Sequence, residues 1–137
     1  MRFMMLMIPD GYATAEPNAP LDPTRFDAMM QYNEELKAAG ILEALDGLHP
    51  PSMGARVSFK TGQPIVTDGP FAESKEVLGG YWVINVATLA EAIDWASRCP
   101  GSPTETIEIR QIMAFDDWSE DVQAVAEKYP DIKSRIT

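Results

Sequence analysis

The chain has one cysteine, one histidine and eleven basic residues against twenty-one acidic ones in 137 positions. Each scarcity closes a class of explanation. With Cys99 alone, no intrachain disulfide can form, and a reducing compartment such as the cytoplasm is the expected location. With His49 alone, a metal centre would have to be built almost entirely from carboxylates, so neither a metal nor another cofactor is expected. A net charge of −10 with the basic residues scattered provides no stripe to neutralise phosphates. Nucleic acid and anionic membrane surfaces are therefore not expected partners.

Long apolar runs are also missing. "MRFMMLMIP" is too short for the h-region of a signal peptide, and the acidic, Pro-rich stretch after it lacks a small-residue cleavage pattern. Nothing else approaches the roughly eighteen apolar residues of a membrane helix. There is no Gly-rich phosphate loop and no nucleophile elbow, which disfavours nucleotide cofactors and acyl-transfer hydrolysis.

What is present suffices for one packed domain spanning residues 1–137, with residues 118–129 as a C-terminal helical extension. "RFMMLMI" is apolar at nearly every position, the pattern of a strand covered on both faces. Asp22 followed by Pro23 opens a helix over 23–39, with Phe26, Met29, Met30, Asn33, Leu36 and Lys37 on one side and Gly40 at its end. "ILEALDGLHPP" reads as a strand ending near Gly47, and "ARVSFKTGQPIVT" as a hairpin about Thr61-Gly62. "YWVINV" is an interior strand, and Thr88-Leu89-Ala90-Glu91 is a capping box that opens a helix stopped by Pro100. "ETIEIRQIMAF" alternates and then changes phase at Ile112, predicting a bulge near Arg110 and Gln111. Trp118, Val122, Val125 and Tyr129 keep helical spacing up to Pro130.

The order strand, helix, strand, hairpin, strand, helix, strand is a split βαβ plan. It predicts an α+β fold with two helices on one face of an antiparallel sheet. A first strand apolar on both sides then predicts that the other face is buried by a homodimer partner.

"TDGPFAESKE", "GGYW", "EAIDWASRCP", "IEIRQ", "QYNEELKAAG" and "GLHPPSMGARVSF" together resemble the DGPF branch of the YCII-related proteins, over residues 1 to about 118. The resemblance implies a ferredoxin-like subunit that pairs into a dimeric α+β barrel. It also implies a small bacterial cytoplasmic protein, of a kind linked with extracytoplasmic-function sigma factors, and it brings no settled activity. The wider group is thought to use a His-Asp pair with the His near the start of the first helix. Here that stretch, "LDPTRFDAM", has no His, and His49 lies on a different element. The pair does not carry over.

"VTDGPFAESKEVLGG" is too long for a tight turn and reads as a stiff loop crossing to "YWVINV". Asp68-Gly69-Pro70-Phe71 supports two readings that can both hold. In one, Asp68 bonds nearby amides, Gly69 tolerates an unusual dihedral, Pro70 stiffens the exit and Phe71 anchors the loop. In the other, the turn presents Asp68 to a cleft as base or ligand contact. Lys75, flanked by Glu73 and Glu76, is either a solvated face or an anion contact. His49 is either a hydrogen-bonded strand end or a general base. Tyr81, Trp82 and Trp95 read as core or interface. Arg110, polar in an apolar strand, needs a partner in Asp68, Glu108 or a ligand carboxylate.

Two functions are carried forward. One is a small-molecule enzyme or binder with a pocket near the DGPF loop, Asp68 and His49 catalytic and Phe71, Lys75 and Arg110 binding. The other is a noncatalytic regulatory or interaction protein whose acidic dimer presents a surface to a partner such as a sigma factor.

Overall fold

Strand β1, Arg2–Pro9, is the strand about which the sheet is organised. Side chains alternate along it, so Phe3, Met5 and Met7 enter the core while Met4, Leu6 and Ile8 face the other way, half-buried. The computed structural model describes residues 1–71 and 76–136.

Helix α1, Pro23–Ala38, begins where the Asp22 carboxylate accepts from the Thr24 amide at 2.9 Å, and Pro23 fills the first turn. Gly40, at φ +73°, turns the chain out of it. Strand β2, Leu42–Gly47, follows. A separate hairpin comes next, β3 (Ala55–Ser58) paired with β4 (Ile65–Asp68), with Gly62 at φ +83° in its turn. Strand β5, Gly80–Asn85, returns to the main sheet, and α2, Leu89–Ser97, leads to β6, Glu105–Gln111. The capping box forms: Thr88 Oγ1 accepts from the Glu91 amide at 3.1 Å, and Glu91 accepts from the Ala87 amide at 3.0 Å.

The four-stranded sheet has the order β2-β5-β1-β6 with antiparallel neighbours throughout, so β1 and β2 run the same way with β5 between them. This is the ferredoxin-like α+β arrangement. Both helices lie on the face of Phe3, Met5, Met7, Trp82 and Ile84, where Tyr32, Leu36 and Ala92 complete the core. Tyr32 ties the layers together. Its hydroxyl donates to the Trp95 carbonyl of α2 at 2.7 Å, and its ring meets Trp82 edge-on at 5.8 Å.

Three details differ from the sequence expectations. Strand β6 stays in regular register with β1, from Glu105 opposite Pro9 to Gln111 opposite Phe3, and the bulge lies instead between Leu42 and Ala44 of β2. The phase change at Ile112 marks the end of the strand, where its amide donates to the Arg2 carbonyl. The buried side of α1 is centred on Tyr32 and Leu36, while Phe26 and Met30 stay about half exposed. The C-terminal extension is two short helices, α3 (Glu120–Ala126) and α4 (Pro130–Lys133), so Pro130 opens a helix as well as ending a run. No described helix is long and apolar enough to cross a membrane.

Candidate functional site

The DGPF loop is locked by a backbone crossing. The Gly69 amide donates to the Gly54 carbonyl at 3.0 Å, and a Cβ on Gly69 would lie 1.7 Å from the Pro51 carbonyl oxygen. Gly69 has a negative φ, so the glycine is required by close approach and not by an unusual dihedral. Phe71 is half-buried beneath the Arg56 guanidinium, 4.0 Å from its ring centroid, and not in the main core. His49, Phe71, Arg56 and Glu76 share an open groove of about 500 Å³ with apolar neighbours such as Leu48 and Val77.

The pocket expected from the sequence is thus only partly assembled. His49 and Phe71 meet in the groove. Asp68 ends β4 opposite Ala55, exposed, and is not among the described residues lining that groove. Lys75 lies outside the described residues. Arg110 sits on β6, at the opposite edge of the sheet from the β2 strand that leads to His49, which is three strand spacings or roughly 14 Å away. Its guanidinium pairs with Glu108 at 3.5 Å on the exposed face. Alternation along β6 aims Arg110 away from the helices, and it is not among the described residues lining the groove that holds His49.

A second, better enclosed space lies between α1 and the sheet. This cleft of about 320 Å³ is walled by Met7, Phe26, Met29, Met30, Leu45 and Trp82. Gly79 and Gly80 border it where the chain packs closely on its neighbours: a Cβ on Gly80 would lie 2.8 Å from the Asp46 carbonyl oxygen, and one on Gly79 would lie 2.8 Å from the Pro9 ring. Inside, Trp82 Nε1 donates to Asn33 Oδ1 at 2.8 Å, and the nearest partner of Asn33 Nδ2 is the Met30 sulfur at 3.7 Å.

Of the other polar residues along the cleft, Glu105 turns its side chain to this face, whereas Asp46 lies opposite Tyr81 between β2 and β5 and both point to the face away from the helices. Glu105 accepts from Arg25 at 2.5 Å and from the Ser102 amide at 2.8 Å. Asp46 accepts from the Tyr81 hydroxyl at 2.7 Å, and that bond to a carboxylate pushes the Tyr81 phenol above its ordinary pKa. Among the described residues the lining has no Ser, Thr, Cys, His or Lys, so it offers no side-chain nucleophile paired with a base. Cys99 lies outside the cleft, between α2 and β6, where burial and then the Glu105 charge push its thiol up to about 11.

Reading the sequence for reactive types overlooked this cleft. The signal was Asn33, an amide between Met29, Met30 and Leu36 on one side of the helix, and Trp82, whose N–H needs an acceptor wherever it is buried.

The face of the sheet away from the helices carries a strip made of Met4, Leu6 and Ile8 with Tyr81 and Val83. Charged and polar groups rim it: Glu108 and Arg110 on β6, and Arg2 bonded to Glu43 at 2.6 Å at one end. Arg2, with help from Asn85 at 3.1 Å, holds the Glu43 carboxyl below its usual range.

Residues 1–116 match the model of the YCII-related domain. An uncharacterised protein of Rhizobium meliloti (strain 1021) is 45% identical over 79 residues, which cover 56% of this chain and 64% of that relative.

Proposed function

The chain belongs to the YCII-related family, and within it we propose a homodimeric protein that binds a small organic molecule in the cleft between α1 and the sheet. One observation carries this reading: a mostly apolar cleft of about 320 Å³ contains one side-chain amide, Asn33, fixed in orientation by Trp82. Ligand sites have this make-up, a mostly apolar lining with a few oriented polar groups. The groove beside His49 and Phe71 is larger but more open, and Gly69 and Phe71 have packing duties in the loop beside it.

Binding is the proposed activity, because the cleft's one carboxylate side chain, Glu105, is already paired with Arg25. The bacterial, cytoplasmic setting implied by the family resemblance belongs to the same proposal. Regulation through a sigma factor is supported by the net charge of −10 and by the lack of a His near the start of α1, and is the weaker alternative.

The test is a fragment screen against protein labelled at its methionine methyl groups. Hits are expected to shift Met7, Met29 and Met30, which line the cleft, and to leave Met53, which lines the groove, in place. Hits that move Met53 alone would transfer the site to the DGPF groove.

A further inference from the structure

We infer that the ligand of the cleft is an uncharged one- or two-ring compound that presents a carbonyl oxygen to the side-chain amide of Asn33. The inference rests on the binding role proposed for the cleft and names what the cleft selects.

The argument starts from the indole of Trp82, which can only donate. Its 2.8 Å contact therefore requires the amide oxygen of Asn33 to face Trp82 and turns the NH2 group the other way. There the nearest partner is the Met30 thioether at 3.7 Å, a weak acceptor. The stronger side-chain acceptor on this face, Glu105, is engaged by Arg25 and the Ser102 amide. The Met30 contact lies at the open side of the cleft, where a ligand that brings a stronger acceptor replaces a weak one. The site is built to supply one hydrogen bond, and the ligand must accept it.

Charge decides which acceptor. Among the described residues no Lys, Arg or His lines the cleft, and its one carboxylate side chain, Glu105, is held by Arg25. A ligand carboxylate would be desolvated with no free cation to pair it, whereas a ketone, amide or lactone oxygen would not. Shape and size decide the rest. Phe26 and Trp82 offer ring faces and edges, and Met7, Met29 and Met30 adjust around them. An apolar cavity of roughly 150 Å³ accepts a benzene, so about 320 Å³ has room for two fused rings.

Three bicyclic probes of matched shape test this on the full chain: 1-indanone, indane and indane-1-carboxylate. Each is titrated into 15N-labelled protein while the Asn33 side-chain NH2 signals are followed. We expect 1-indanone to bind roughly tenfold tighter than indane, as one added hydrogen bond allows, and to be the only probe that shifts those signals strongly. The carboxylate should bind weakest.

Asn33→Asp keeps an oxygen for Trp82 and removes the donor. It should abolish the preference for indanone while indane still binds. Equal affinity of the native protein for indanone and indane overturns the inference, as does tightest binding by the carboxylate. Both of those outcomes leave the cleft a binding site. Binding by none of the three also overturns it, and the methionine screen decides separately whether the cleft binds anything.

Discussion

At Gly69 the space for a single methyl group decides whether the DGPF loop can close. The Cβ position lies 1.7 Å from a backbone oxygen of Pro51, and neither atom can swing aside as a side-chain tip would. Gly69→Ala is expected to cost at least the roughly 1–3 kcal/mol of overpacking, measured by urea unfolding. Gly101→Ala is the control: a Cβ there meets nothing within 4 Å, and surface changes of that kind stay within about 0.5 kcal/mol. Equal stabilities for the two variants would remove the packing account of the motif.

The sequence singled out "TDGPF" as chemically particular but not the reason, because Pro51 is brought to Gly69 only by the folded path. Asn33 shows the same limit from the other side. Its place between Met29, Met30 and Leu36 was readable, but its use depended on Trp82 arriving from another strand. Arg110 looked like a pocket residue because it breaks an apolar run, and pleat alternation gave it to solvent.

The elements themselves were far more legible, because their signals are local. Asp22-Pro23 and Thr88 stand next to the helices they start, and both side chains accept the amides expected of them. Thr88→Ala should lower the melting point, with a loss of about 1 kcal/mol typical of an N-cap. Thr88→Ser keeps the acceptor and should retain most of the stability. If the alanine variant melts with the native chain, α2 is held by Ala92 and its neighbours alone, and the cap contributes nothing. Where a signal had two meanings, the reading of the chain failed. A phase change in apolar residues marks a bulge or a strand end, and at Ile112 it marked the end. A proline after an apolar stripe stops one helix and suits the first turn of the next, and Pro130 does both.

For the whole molecule, the unresolved demand is the outer face of the sheet. Both helices cover the Phe3, Met5 and Met7 side, which leaves Met4, Leu6 and Ile8 half-buried beside Tyr81 and Val83. A second copy suits this strip because its rims mix charges, Glu108 beside Arg110 and Arg2 beside Glu43. A two-fold axis sets a patch against itself, so a rim of one sign would repel its copy, whereas a mixed rim can pair. The apolar residues of β1 raise the same expectation from the sequence, since a strand apolar on both sides calls for two coverings and α1 and α2 supply one. We expect sedimentation velocity to give a dimer for the native chain and a folded monomer for Leu6→Asp. Leu6 already lies on the side opposite the core, so the carboxylate should leave the subunit intact while setting one buried charge against its symmetry mate. Leu89→Asp, at a residue half exposed on α2, adds the same charge off the strip and should remain dimeric. A monomeric native chain, or a Leu6→Asp dimer, would remove the second copy from this face.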